Sequence, residues 1–252
     1  MNHEAQNPIQ SVYTTFDIIE TLKRLNGATV TEVAEELERP QSTIHNYLSS
    51  LRDRGYVVQD GTNYNLALRF SHIGDFTKHR LELTRVARPT IEQLAVDSGG
   101  TVNLLVEENG LGVYLAVSRG RTAGPLSKYA YTRNMEYLHC TAAGKAILAS
   151  MPPECVEQVL DIHGLPAQTA ETITEREVLL EELEQVRTEG YAVNDEENTQ
   201  GLRAIGSPVK MEADRYAAIS ISGSPSRLRG AESEIAEMLQ EATNTMKLDL
   251  TF

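Results

Sequence analysis

Residues 29–58, TVTEVAEELERPQSTIHNYLSSLRDRGYVV, hold two short amphipathic patterns around a tight turn, followed by a strand-like run. Val30, Val33, Ala34 and Leu37 recur at i, i+3, i+4 and i+7, on one face of a helix, while Glu32, Glu35, Glu36 and Glu38 take the solvent side. Thr29 or Thr31 caps its start. Pro40 can open a helix but not continue one, so the chain turns near Arg39 and restarts with Gln41, Ser42 and Thr43 in the first turn of a second helix. The buried side of that helix is expected at Ile44, Leu48 and Leu51. Residues 56–59, the Asp60-Gly61 pair and residues 63–66 then read as a hairpin, because Asp-Gly between apolar runs is among the strongest short turn signals. Two helices about a turn and then a hairpin is the order of a helix-turn-helix with a wing.

A helix laid in the major groove meets base edges chiefly with its N-terminal residues. Gln41, Ser42, Thr43, His45 and Asn46 fill those positions with amides, hydroxyls and an imidazole, and Arg52 and Arg54 lie further along, where phosphate contact is expected. The same residues would also suit the solvent face of any three-helix domain; the hairpin that follows favours double-stranded DNA. Upstream, Val12, Phe16, Ile19, Leu22 and Leu25 fall at helical spacing and predict a third helix closing a small core. Residues 1–10 read as a flexible tail, 11–72 as the winged helix-turn-helix domain, 73–97 as a linker helix and 98–252 as a second domain.

A chain of 252 residues with 40% hydrophobic content can bury real cores, and its length favours two domains. No apolar run approaches the roughly 20 residues of a membrane span, and the N-terminus lacks the pattern of a secretion signal, so no membrane partner and a cytoplasmic location are expected. Two cysteines without a CxxC pair suggest neither a disulfide framework nor a thiolate metal cluster, and no cofactor is expected. The charge balance runs against DNA binding. Net charge is -13, and residues 1–75 carry six basic residues (Lys23, Arg24, Arg39, Arg52, Arg54, Arg69) against ten acidic ones, a net of -4, where a basic footprint is usual. Two explanations combine: positive charge concentrated on the reading face, and work at very high ionic strength. Six lysines beside 17 arginines and 36 acidic residues resemble proteins of salt-accumulating halophiles, in which counterion release adds little to DNA affinity.

In the second half, residues 76–96 read as a helix kinked or divided by Pro89. Strand-like runs at 101–108 and 111–118 are joined by Asn109-Gly110. Residues 138–150, LHCTAAGKAILAS, read as a turn entering a small-residue helix ended by Pro152-Pro153, and residues 174–189 as an amphipathic helix with a capping box of Thr174 and Glu177. Strands at 190–197, 204–211 and 216–224 precede a terminal helix carrying Ile235, Met238, Leu239 and Ala242. Strands mostly adjacent, with helices at the ends, indicate an α+β domain on an antiparallel sheet. Small side chains and open backbone amides mark where it could hold a small molecule: Ala142, Ala143 and Gly144 at a helix start, and Ser220 and Ser222 on one face of a strand. Close packing of a helix on a sheet asks for the same residues.

Four motifs in order, QSTIHNYLSSLRDRGYVV, LHCTAAGKAILA, GYAVNDEENTQGLRAIGSPV and AAISISGS, resemble the IclR-type transcriptional regulators from about Ser11 to Leu239. The resemblance implies a winged helix, a linker helix and a GAF-like effector domain that binds a small metabolite, commonly an organic acid, with a homodimer or dimer of dimers on the operator. It places the effector pocket at Ala142, Ala143, Asn194, Ala204, Ser220 and Ser222. This chain departs from the family with Asn194 where an Asp is common, Ala204 where a member has Cys, and Asn46 where an Arg commonly follows the His.

Rival readings are an enzyme and a ligand-independent architectural DNA-binding protein. AAGKA lacks the G-x-x-x-x-G-K-[ST] spacing of a phosphate loop. His139 and Cys140, adjacent on a strand, would point to opposite faces and share a proton poorly. His139, Cys140, Cys155 and His163 match no familiar metal spacing, and Asp195, Glu196 and Glu197 read as a solvated loop. The expectation is a metabolite-responsive DNA-binding regulator without catalytic chemistry.

Overall fold

The computed structural model describes residues 7–123, 135–211 and 215–251. The chain divides between Arg80 and Leu81 into two compact units. Most of the expected N-terminal tail, residues 1–6, lies outside the described residues.

The N-terminal unit contains α1 (Gln10–Leu25), β1 (Ala28–Thr29), α2 (Val30–Glu36), α3 (Gln41–Asp53), β2 (Val57–Asp60), β3 (Asn63–Leu66) and α4 (Arg69–His79). Thr29 caps α2 in a full capping box: its hydroxyl accepts from the Glu32 amide while the Glu32 carboxylate accepts from the Thr29 amide at 2.8 Å. Glu38, at φ 51, bends the chain between α2 and α3. The wing forms at the expected place, with Asp60 paired to Asn63 across a two-residue turn that opens on left-handed Gly61. A third strand, β1, joins β3 to give the order β1-β3-β2. Ile18, Leu22, Val33, Ile44, Leu48, Leu51, Val57 and Tyr64 form the core.

Helix α1 departs from its expected face. Thr14, Ile18, Thr21 and Leu22 are buried, whereas Val12, Phe16 and Leu25 are exposed. The Thr14 hydroxyl donates to the Gln10 carbonyl at 3.1 Å, so a threonine enters the core with its polar group satisfied, and an apolar count misses it.

The C-terminal unit runs α5 (Glu82–Ser98), β4 (Thr101–Glu108), β5 (Leu111–Arg119), β6 (Met135–Tyr137), a 3-10 turn (Leu138–Cys140), α6 (Ala142–Ser150), α7 (Pro153–His163), α8 (Arg176–Glu189), β7 (Ala192–Asp195), β8 (Arg203–Val209), β9 (Ala217–Gly223), α9 (Pro225–Arg229) and α10 (Glu232–Thr251). Its six strands pair in the order β6-β5-β4-β9-β8-β7, every pair antiparallel. Val102, Leu104, Ile205, Ile219 and Ile221 pack one face against α5 and α10. Leu105, Ala192 and Ala218 pack the other against α6, α7 and α8. The sheet is therefore the middle of three layers, with mixed α and β elements as expected.

Several boundaries correct the sequence reading. The expected helix at 76–96 is two helices, broken at Arg80–Leu81 and not at Pro89. Pro89 sits on the exposed side of α5, where the carbonyl four residues back can bond water, so its missing amide does not divide the helix. Pro152-Pro153 ends α6 but also opens α7, with Pro153 in its first turn, where a missing amide is harmless. The capping box of Thr174 and Glu177 does not form: the residue before α8 is Glu175, with no side-chain cap.

Candidate functional site

Pro40 starts α3 without a side-chain cap, leaving its first turn to Gln41, Ser42 and Thr43. Gln41, Ser42, His45 and Asn46 are exposed and Thr43 is half-buried, while Ile44, Leu48 and Leu51 fix the opposite face in the core. Helical spacing puts Gln41, His45 and Arg52 along one stripe. Arg52 and Arg54 are exposed at the far end, roughly 15–20 Å from Gln41 by helical rise, and so form no single patch with the N-terminal residues. Arg52 donates from Nη1 to the Gln59 side chain of β2, and the Gln59 amide donates to the Gly61 carbonyl at 3.0 Å. That pair ties the wing to the reading helix. Behind it, Arg69 stacks over Tyr56 at 4.8 Å and donates to the Arg54 carbonyl at 2.9 Å, bracing the wing's base.

In the C-terminal unit the expected pocket residues come from three strands and a helix, and strand register brings those on the strands together. Asn194 pairs with Ala204, Ala204 with Ser222 and Ser222 with Thr101, one row across the sheet. Ala192, Gly206, Ser220 and Asn103 form the next row. Alternation places both rows on the α6 side of the sheet. Asn194, Ala204, Ser220, Ser222, Ala142 and Ala143 are all buried. Gly206 lies under the first peptide of α6: a Cβ there would stand 2.7 Å from the Ala142 carbonyl carbon and 2.8 Å from the Ala143 nitrogen. The Thr141 hydroxyl accepts from the Gly144 amide at 3.0 Å, so the Ala142 and Ala143 amides remain without partners among the described residues. Gly144 itself is turned away, since a Cβ on it would meet the Leu138 carbonyl at 2.2 Å; it is a packing glycine. Asn103 Nδ2 donates to Ser222 Oγ at 3.4 Å and Ser222 Oγ to the Thr101 carbonyl at 3.3 Å.

The acidic run is not a solvated loop. Asp195 pairs with Arg203 and Arg229, and the Glu196 carboxylate accepts from the Gly201 amide at 2.7 Å. Glu197 is 6% exposed and bonds Lys145 Nζ at 2.6 Å; Lys145 is fully buried on α6 and also pairs with Glu182 of α8. Burial holds the Glu197 carboxyl above the usual range, opposed by the Lys145 charge. This triad was missed, although a sign existed: residues 142–149 are small or apolar all round, so a lysine among them has no solvent face and must find carboxylates.

His139 and Cys140 lie on the 3-10 turn and not on a strand. Burial pushes the Cys140 thiol up to about 11, and it donates weakly to the Tyr137 carbonyl at 3.5 Å, so it carries no reactive thiolate. Burial also lowers the His139 pKa. Among the described residues no three His, Cys, Asp or Glu side chains are grouped to hold a metal ion, and no helix is long and apolar enough to cross a membrane.

A winged helix-turn-helix followed by an α/β unit is the domain order of a DNA-binding transcription factor with a ligand-binding domain. Residues 11–61 match the model of the IclR helix-turn-helix domain, and residues 76–247 that of the bacterial transcriptional regulator IclR C-terminal domain. The chain is 32% identical over 254 residues to the probable HTH-type transcriptional regulator ArcR of Halobacterium salinarum, spanning 99% of this chain and 97% of that one. The crystal structure of Thermotoga maritima IclR superposes with a TM-score of 0.77 at 27% identity, over 96% of this chain and 99% of that one. An IclR homologue of Microbacterium hydrocarbonoxydans, complexed with 4-hydroxybenzoate, gives 0.81 at 23% identity, over 95% and 98%. The chain belongs to the IclR family. It is a DNA-binding transcriptional regulator with a C-terminal ligand-binding domain, not an enzyme.

Proposed function

We propose that this chain is a cytoplasmic regulator that reads a two-fold symmetric operator with the N-terminal turn of α3 and releases or grips it in response to a small organic acid. The acid is taken up between the N-terminus of α6 and the two sheet rows. The carrying observation is the pair of unpartnered Ala142 and Ala143 amides above Ser220, Ser222 and Asn194: the positive end of a helix over a floor of neutral polar groups favours a carboxylate. Residues 11–72 serve as the DNA-binding domain and 98–252 as the effector domain.

A second copy is supported by the exposed face of α1, where Ile9, Val12, Tyr13 and Phe16 are 66%, 48%, 49% and 60% exposed along one side. Pairing that stripe with itself about a two-fold axis covers on the order of 800 Å², short of the roughly 1,200 Å² of a stable interface, so the dimer or dimer of dimers needs a further contact. The acidic, lysine-poor composition supports function in concentrated salt.

The test is operator capture from genomic fragments at high KCl, repeated with added carboxylates. Specific fragments whose affinity moves at least about fivefold with one acid support the proposal, since a ligand shifts DNA binding only through unequal affinity for the two states. Specific fragments indifferent to every acid would leave an architectural DNA-binding protein in its place.

A further inference from the structure

We infer that this chain holds its operator through uncharged donors and not through counterion release, because the surface built from α3 and the wing carries no net charge. The inference rests on α3 as the reading helix, as proposed above. From the turn before α3 to the end of the wing, residues 38–66 contain three cations, Arg39, Arg52 and Arg54, and three carboxylates, Glu38, Asp53 and Asp60. All six are exposed. They are interleaved: Glu38 adjoins Arg39 ahead of α3, Asp53 separates Arg52 from Arg54 at its C-terminal end, and Asp60 opens the turn of the wing. Positive charge is therefore not gathered on the reading face, against the expectation from composition. Nor do α1 and α2 supply it there, since Lys23 and Arg24 are neutralised by Glu20 and Glu36 at 2.9 and 2.6 Å.

Neutral donors stand in place of the missing charge. Pro40 brings no side-chain cap, and its carbonyl accepts from the Thr43 and Ile44 amides at 2.9 and 3.2 Å, so the Gln41 and Ser42 amides stay open among the described residues. Open amides at a helix start bond a phosphate oxygen, and the exposed side chains of Gln41, Ser42 and Asn46 add uncharged donors beside them. The wing follows the same rule. Its tip is Asp60, Gly61, Thr62 and Asn63, with no cation for a narrow minor groove, whose potential draws arginine and repels a carboxylate. The consequence is read in salt. If the three arginines of each protomer neutralised one phosphate apiece and the carboxylates were silent, a dimer would release the counterions of about six phosphates, and log affinity would fall against log[KCl] with a slope of about -5. Three carboxylates held against the same backbone keep cations in the complex, and full cancellation brings the slope to about 0.

The test titrates full-length protein against a fluorescent duplex that wild type has selected from random DNA, over a fourfold range of about 0.3–1.2 M KCl in which circular dichroism shows the fold unchanged. Wild type is compared with a variant carrying Glu38→Gln, Asp53→Asn and Asp60→Asn. These carboxylates make no hydrogen bond or ion pair among the described residues, so the variant should melt as wild type does. Wild-type affinity should change less than about thirtyfold across the range, a slope shallower than about -2.5, whereas the variant should lose about a thousandfold and bind more tightly than wild type at the low-salt end. A wild-type slope steeper than about -2.5 overturns the inference and would mean that cations outside residues 38–66, such as Arg69 on α4, reach the phosphates. A variant as flat as wild type overturns it too, because the carboxylates would then cancel nothing. If Gln41→Ala and His45→Ala together leave affinity for the duplex unchanged, α3 is not the reading helix, and the inference falls with that reading whatever the slopes. Failure of selection to enrich any duplex has the same meaning.

Discussion

Replacing Lys145 with Met removes the cation from a buried triad whose net charge is already -1. Glu182 is 27% exposed and can turn to water, but Glu197 is 8% exposed at its side chain and one of its carboxylate oxygens already has no partner. The variant strands a single buried carboxylate, a loss of about 3–5 kcal/mol, against which the apolar packing of Met returns about a third. The pH dependence carries the diagnosis. Burial already raises the Glu197 pKa, and losing Lys145 raises it further. A carboxyl whose folded pKa lies above its unfolded value of about 4.3 holds its full stability below that unfolded value and loses it as pH rises through the folded pKa. The deficit of Lys145→Met should therefore be largest near neutrality and shrink steadily as pH falls, and adding Glu197→Gln should recover most of it at neutral pH. Urea unfolding in high KCl, followed by circular dichroism because the chain has no tryptophan, measures both. A deficit below about 1 kcal/mol, or one that does not change between about pH 5 and 8, would refute the triad as described.

Gly206→Ala drives a methyl into the Ala142–Ala143 peptide, so it should lower stability by about 1–3 kcal/mol and weaken carboxylate binding more than Gly144-distant surface changes do; calorimetry on a folded variant decides. Thr29→Ala removes the cap of α2 and should cost the N-terminal unit about 0.5–2 kcal/mol, read by urea unfolding, with ligand binding unaltered. Gln59→Ala should reduce operator affinity about as much as Arg52→Ala, because the two hold wing and reading helix together; a full effect of Arg52→Ala with none from Gln59→Ala would assign Arg52 to phosphate instead.

The parts of the fold that read clearly from sequence are those where local chemistry and burial agree. Pro40, the 3.6-residue spacing of Ile44, Leu48 and Leu51, and the Gly61 turn each admit few alternatives, so α3 and the wing fall where expected. Asn109 and Gly110, both left-handed, settle the hairpin between β4 and β5 in the same way. Elements that depend on partners distant in sequence were not legible. Strand β1 is two residues long and exists because β3 offers it a ladder, and β6 is a three-residue edge on β5. The buried face of α1 contains two threonines and so hides from an apolar count. At the ligand site the residue types were readable as small and polar, but their assembly in two rows is a matter of register. The roles of Lys145 and Glu197, 52 residues apart, follow only from the helix that lies across the sheet.

Fluorescence anisotropy on a selected operator fragment in high KCl, with wild type beside a variant carrying Gln41→Ala, Thr43→Ala and His45→Ala, tests the reading role of α3 most directly. These side chains lie on the exposed or half-exposed first turns of α3, away from Ile44, Leu48 and Leu51, so the variant should keep its fold and lose specific binding by at least about 1–3 kcal/mol for each base contact removed. Undiminished sequence-specific binding by the triple variant, with its melting curve unchanged, would mean that another surface reads the DNA.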